Sequence, residues 1–264
     1  MMSASAIDAA AQRLARGRLE GARLGALPQT SRPVDEAEAY AVQERLHAIL
    51  SNAGQGHVAG HKIGCTTEVM QQGYLGIDTP CSGAVFDGLA HQGDGSFAHG
   101  DYQHLGVECE IAVSIAADLP GGQVYDRDSV GDAVRTVMAA IEVVNDRFID
   151  YRSINTPTLI ADDFFAAGCV LGRPVSDWRG LDLAALSGRM TVDGTEVGKG
   201  VGSDILGHPF AALTWLANRR AEAGLPLRAG EFVLLGSLVQ TQWIELGAVV
   251  EVEIEELGKV VAHF

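Results

Sequence analysis

The run Val107-Glu108-Cys109-Glu110-Ile111-Ala112-Val113-Ser114-Ile115 decides how this chain is read. In an extended strand successive side chains alternate between faces, so Val107, Cys109, Ile111 and Val113 form one apolar face and Glu108 and Glu110 share the other. The two carboxylates then stand about 7 Å apart. At an effective dielectric of about 20 their repulsion is roughly 2 kcal/mol, which a solvated face tolerates and a closed site does not. Ala112 and Ser114, next on the same face, are small and uncharged and leave room for a ligand. The same alternation recurs near the C-terminus, where Val250, Val252 and Ile254 interleave with Glu251, Glu253 and Glu255. There no small neighbours accompany the acids, and a solvated edge strand explains them.

Outward from this run the chain is a series of short apolar stretches broken by Gly, Pro, Asp and His. Segments 84–87, 107–115, 140–146, 168–172, 189–193, 232–239 and 248–255 read as strands, with helices expected at about 129–139 and 209–223. Toward the N-terminus, apolar residues recur at helical spacing from Ile7 to Leu24; the Pro28 to Pro33 stretch interrupts them, and a second helical run follows from Asp35 to Leu50. This pattern lacks the regular alternation of strand and helix that a Rossmann fold or an eight-fold barrel requires. The expectation is an α+β chain with a rolled or sandwiched sheet over 56–264, acting as one catalytic unit behind a helical segment over 1–55.

Composition narrows the function. With 47% hydrophobic and 20% charged residues in 264, the chain is globular rather than disordered or fibrous. Nineteen Lys plus Arg against 34 Asp plus Glu give a formal charge of −15, the wrong sign for a nucleic-acid or anionic-membrane partner. The four cysteines, at 65, 81, 109 and 169, form no C-x-x-C pair, as expected of free thiols in a reducing compartment. No secretory signal and no run of 18 apolar residues is present, so a cytoplasmic location is expected.

Two further features carry chemistry. Glu142 stands alone in the apolar run Val137 to Val144, where an unpaired charge is costly. Either it meets a positive group or the run is half exposed. Together with Glu108 and Glu110 it would offer three oxygen donors, without His or Cys at ligand spacing, a set suited to a hard ion such as Mg²⁺ or Mn²⁺. Lys62, in Gly60-His61-Lys62-Ile63-Gly64, is the second: it is either a surface lysine or a group that binds a substrate carboxylate, donates to a developing enolate or shuttles a proton. The remaining signals have two readings each. Asp162-Asp163 before Phe164-Phe165 suits a turn or a substrate contact, and Gly236-Ser237 within an apolar strand suits a bulge or a close-lying ligand.

These residues resemble a known family. G-H-K-I-G-C-T-T-E-V-M-Q from Gly60, G-I-D-T-P-C-S-G at 76–83, V-E-C-E-I-A at 107–112, A-I-E-V-V-N-D-R at 140–147, I-A-D-D at 160–163 and L-R-A-G-E-F-V-L-L-G-S-L at 227–238 are similar, in order, to the 2-keto-4-pentenoate hydratase and 2-oxo-3-hexenedioate decarboxylase family of the fumarylacetoacetate hydrolase superfamily. The resemblance implies a mixed β-sandwich roll, Mg²⁺ or Mn²⁺ on Glu108, Glu110 and Glu142, a catalytic and substrate-binding Lys62, and a homo-oligomer; a desolvated lysine near that cation is expected to have its pKa lowered enough to exchange protons. It implies hydration of a small 2-hydroxy-dienoic or 2-oxo-enoic acid from meta-cleavage of aromatics. The alternatives are decarboxylation of a 2-oxo-3-hexenedioate type of substrate, an acylpyruvate-type C–C hydrolysis, and a metal-binding homologue without catalysis. The chain departs from the family at two places: Cys81 follows Pro80 where an acidic residue is usual, and Asp163 replaces an Asn. With Ser237, these two are candidate substrate contacts, and the bulky Phe164-Phe165 points to a substrate larger or more apolar than a five-carbon dienoate.

Overall fold

Local sequence chemistry sets the first two helices. The Ser3 hydroxyl accepts the Ala6 N–H at the start of α1 (Ala4–Glu20), and Gly21 closes it in the left-handed conformation that glycine adopts without strain. Asp35 caps α2 (Glu36–Leu50) by accepting the Glu38 N–H, while the Glu38 carboxylate accepts the Val34 N–H. The apolar stripes of the two helices, including Ala11, Leu14, Val42 and Leu46, share one buried cluster with Phe86, Leu159 and Ile160. The structure, a computed structural model, describes residues 1–67 and 79–264. Gly76 to Asp78 of the 76–83 motif, and residues 68–71 of the Lys62 motif, lie outside the described residues.

Twelve strands follow among the described residues: β1 (Val58–Gly64), β2 (Cys81–Phe86), β3 (Ala90–Gln92), β4 (Asp94–Ser96), β5 (Leu105–Ile115), β6 (Val134–Asn145), β7 (Ala166–Leu171), β8 (Ser187–Val192), β9 (Thr195–Val201), β10 (Phe232–Trp243), β11 (Val249–Ile254) and β12 (Gly258–His263). Among the described residues three α-helices lie between them, α3 (Arg127–Asp132), α4 (Thr156–Ala161) and α5 (Pro209–Glu222). Seven strands form one mixed sheet in the order β2-β1-β10-β5-β6-β7-β3, and five form a second in the order β4-β12-β11-β8-β9. β1 runs parallel to β10, β3 to β7 and β4 to β12; the other pairs are antiparallel.

The odd-numbered face of β5, with Val107, Cys109, Ile111 and Val113, lies in the main core beside Val250 and Val252 of β11, Met190 of β8 and Leu213 and Leu216 of α5. The opposite face carries Glu108 and Glu110, followed by Ala112 in a smaller cluster with Met138, Ala140 and Leu234. This mixed α+β architecture answers the fold class expected from the sequence.

Three expectations are corrected. β11, read from the sequence as an edge strand, is the central strand of the five-stranded sheet, paired with β12 and β8. The helix placed at 129–139 is a short α3 that ends at Asp132, followed by β6 from Val134. Nearly all of β6 is buried on both faces, so its apolar residues show no period-2 alternation and mimic a buried helix. β1, where no strand was expected, pairs with strands on both sides; its two glycines, His61 and Lys62 hide the strand signal.

Candidate metal and substrate site

Strand register brings the acids together. Glu108 of β5 faces Glu142 of β6 directly across the antiparallel pair, and Glu110 lies one pleat further on, opposite Ala140. One oxygen from each of the three carboxylates lies within 4.8 Å of the others. Glu110 and Glu142 are fully buried, and Glu108 is partly open. On the other side of β5, β10 bulges at Gly236, whose φ of +131° favours glycine and whose N–H donates to Glu110 Oε2 at 2.6 Å. A Cβ at Gly236 would stand 2.4 Å from Thr66 Oγ1, so the close approach of the segment after β1 also needs glycine there. The Thr241 hydroxyl, further along β10, donates to Glu108 Oε1.

Lys62 enters from β1, the next strand beyond β10. Its register partner on β2 is Gly83, where a Cβ would stand 2.3 Å from the Asp163 carbonyl oxygen. The lysine is 2% exposed; its Nζ lies 2.9 Å from Glu142 Oε1 and 5.2 Å from the centre of the Phe164 ring. Burial alone would lower its pKa, yet with no cation beside it Glu142 and Glu108 hold it above the ordinary lysine value; the lowering expected from the sequence depends on that cation. Burial pushes the Glu142 carboxyl up to about 7 despite Lys62, with Glu108 adding to the rise. Burial, with repulsion from Glu142 and Glu108, raises Glu110 well above the carboxylate range. Among the described residues, Glu110 Oε1 and Glu142 Oε2 have no hydrogen-bond partner. Three acids against one lysine, with orphaned buried oxygens and only oxygen donors, fit a hard divalent cation.

A cavity of about 200 Å³ opens beside this group, lined by Lys62, Glu108, Tyr151, Phe164, Phe165 and Trp243 among others. A wider one of about 840 Å³ meets it at Glu108 and includes Thr66, Leu206 and Ser237. The other sequence candidates make no hydrogen bond to the carboxylates, although Ser237 is the register partner of Glu110 on β10. The Asp163 side chain points away from the cavity: it is 2.6 Å from His47 Nε2 and 2.9 Å from an Arg18 guanidinium nitrogen, and it accepts the Ala84 N–H at 3.0 Å. Burial would raise its pKa, but His47 and Arg18 hold it well below the usual range. Cys81 is fully buried, its Sγ 3.9 Å from Cys65 Sγ, and burial pushes its thiol well up. The Ser237 hydroxyl donates to the Val239 carbonyl at 2.6 Å and accepts the Cys109 N–H at 3.1 Å, which satisfies the β10 bulge.

Sequence reading missed Arg18, His47 and Arg147. Arg18 reaches Asp162 Oδ1 at 2.8 Å, and Arg147 reaches Asp162 Oδ2 at 3.1 Å. These pairs are up to 144 positions apart in the chain, and no local pattern announces them. Beside them Asp163, Phe164 and Phe165 all take positive φ, 56°, 46° and 70°, a conformation costly for non-glycine residues that the surrounding contacts must hold. The run Asp-Asp-Phe-Phe was the available signal, and it read as a turn or a substrate contact rather than as an ion-paired anchor.

Residues 87–264 match the fumarylacetoacetate (FAA) hydrolase C-terminal family. The chain is 35% identical to a 2-keto-4-pentenoate hydratase of Burkholderia vietnamiensis (strain G4 / LMG 22486), over 90% of this chain and 89% of that protein. It is 32% identical to a 2-hydroxyhexa-2,4-dienoate hydratase of Comamonas testosteroni, over 88% and 87%. Its fold matches the 4-oxalocrotonate decarboxylase of Pseudomonas putida G7, solved with magnesium and adipate, with a TM-score of 0.92 at 26% identity over 100% of this chain and 99% of that one. The order of strands, the buried acidic triad and these likenesses agree: the chain belongs to the fumarylacetoacetate hydrolase superfamily, within its family of 2-keto-4-pentenoate hydratases and 2-oxo-3-hexenedioate decarboxylases.

Proposed function

We propose that this protein is a divalent-metal-dependent hydratase that adds water to a 2-hydroxy-dienoic or 2-oxo-enoic acid. The observation that carries the reading is the closed group of three carboxylates with one buried lysine at the foot of a cavity. Similarity to two hydratases over most of both chains supports the reaction class.

Mg²⁺ or Mn²⁺ held by Glu108, Glu110 and Glu142 would supply Lewis-acid polarisation of the acid's C2 oxygen and carboxylate. The chain's own residues do the rest. Gly236 N–H and the Thr241 hydroxyl fix Glu110 and Glu108 in place. Lys62 Nζ binds the anionic end of the substrate and donates to the 2-oxygen as enolate charge develops there. Phe164 covers the lysine and keeps water from that side. Asp163, Ser237 and Cys81 act in this scheme by holding elements in place. The two sheets form the sandwich roll of one catalytic unit, residues 56–264, braced by the helical segment over 1–55. A cytoplasmic homo-oligomer is part of the same reading; among the described residues no helix is long and apolar enough to cross a membrane.

Decarboxylation is the second reading, favoured by the full-length likeness to the 4-oxalocrotonate decarboxylase. The test is to incubate the protein with Mg²⁺ or Mn²⁺ and 2-hydroxydienoates, 2-oxo-enedioates and acylpyruvates, with and without chelator, and to identify the products. Hydrated product that disappears with chelator is expected. Release of CO2 selects the decarboxylase and cleavage the hydrolase. No reaction across the panel leaves a metal-binding homologue and overturns the proposal.

A further inference from the structure

One wall of the 200 Å³ cavity is a continuous aromatic ladder. It starts at Lys62, whose Nζ lies over Phe164; Phe164 meets Phe165 edge to face at 5.3 Å between centroids, and Phe165 meets Tyr151 in the same way at 5.5 Å. Arg152 ends the ladder, its guanidinium 5.2 Å from the centre of the Tyr151 ring. Val144 and Trp243 line the cavity as well, and His104 stacks on the Trp243 ring at 3.9 Å, which fixes its plane. The strained run Asp163 to Phe165 is what sets two of these rings in the wall, and the buried Arg18 and His47 contacts hold it.

On the reading of the site given above, we infer that the substrate carries an apolar tail, an aryl or branched alkyl group, at the end remote from its 2-oxo or 2-hydroxy carboxylate. The charged end meets Lys62 and the carboxylate triad at the foot of the ladder, and the tail lies along Phe164, Phe165 and Tyr151. Volume permits this, since a dry apolar cavity of about 150 Å³ takes a benzene ring and this one is about 200 Å³. The rival is a diacid whose far carboxylate pairs with Arg152. That arginine is exposed and already stacked on Tyr151, and ion pairs in such settings contribute little. Burial of a ring against fixed aromatic faces contributes more.

Binding measured apart from turnover tests the inference. Three unreactive acids, 2-oxopentanoate, 2-oxo-5-phenylpentanoate and 2-oxohexanedioate, are titrated calorimetrically into Mn²⁺-loaded protein. The phenyl compound is expected to bind at least tenfold tighter than either other acid. Phe165→Ala and, as a milder change, Trp243→Leu are expected to shrink that ratio while 2-oxopentanoate binding changes less than twofold. Equal affinity for all three, or tightest binding of 2-oxohexanedioate with its advantage lost in Arg152→Ala, overturns the apolar tail. Either result leaves the hydratase reading standing if the product assay above succeeds. A phenyl preference without turnover keeps the tail and sinks the hydratase, and no binding of any 2-oxo acid sinks both.

Discussion

Two buried clusters of charge flank Phe164, and they are built on opposite terms. Asp162 and Asp163 sit with Arg18, Arg147 and His47, and each carboxylate has a cationic or ring-nitrogen partner within 3.1 Å. Glu108, Glu110 and Glu142 share a single lysine. Asp163 and Glu142 are equally buried, yet Asp163 is held well below the ordinary carboxylate range and Glu142 is pushed up to about 7. Burial acts on both in the same direction, so the partners decide the sign. The first cluster is complete within the protein and holds helix, turn and strand together. The second carries surplus negative charge at a cavity, which is what a cation site requires.

The sharpest way to separate the two is Glu110→Gln. If the proposed metal site holds, turnover is expected to fall about a thousandfold or more, because the substitution takes away one of the three carboxylates proposed to hold the ion and the polarisation that depends on it. The unfolding midpoint of metal-free protein is expected to hold or rise at neutral pH, since a buried carboxyl whose pKa is pushed up costs stability there and its amide replacement does not, while the amide oxygen still accepts the Gly236 N–H. A loss of stability with normal turnover would show that the acids are structural.

Asp162→Asn should do the reverse. Removing one partner of a buried, doubly engaged carboxylate typically costs about 3–5 kcal/mol. Urea unfolding reads this directly, and a change under 1 kcal/mol would break the contrast.

Acid should expose the same difference more gently. Asp163 has a folded-state pKa below its unfolded value, so its contribution to stability is full above about pH 4 and is lost as pH falls through the folded value. The gap in urea midpoint between wild type and Asp163→Asn should therefore be constant from pH 7 to 5 and narrow below pH 4. A gap that widens in acid would contradict the ion-paired assignment.

The smallest effect is expected at the exposed pair Arg189–Glu253, where nitrogen and oxygen are 2.5 Å apart but both side chains are more than two-fifths exposed. Arg189→Ala should leave the unfolding midpoint within error in 0.15 M salt. A clear destabilisation would mean that the alternating acids of β11 are not the solvated face read from the sequence.

That last pair shows what the sequence could and could not say. β5 and β11 carry the same alternation of acid and apolar residue, and only the small residues after Glu110 and the lone Glu142 separated them. Glu142 was readable because a charge inside an apolar run demands a cause. The helix expected at 129–139 failed for a related reason, since a strand buried on both faces has no polar side to display its period. β1 failed because glycine and lysine are poor strand formers: a Cβ at Gly60 would stand 2.6 Å from the Phe232 ring and one at Gly64 2.8 Å from the Phe164 ring, so close packing keeps glycine at both. The Arg18–Asp162 contact was invisible because ion pairs formed by folding across 144 positions leave no mark in either neighbourhood. Lys62 was found, but its proton affinity depends on Glu142 and Glu108, which lie on other strands.

The place of β1 has a consequence for how the molecule divides. The family match begins at residue 87 and contains all three carboxylates, whereas Lys62 lies upstream of it, on a strand held between β2 and β10. A piece starting at residue 87 would keep the acids, lose their counter-charge, and leave the long edge of β10 unpaired and open to other chains. The acidic and basic halves of this chemistry are inherited from different stretches of chain, and neither stretch is a transferable module by itself.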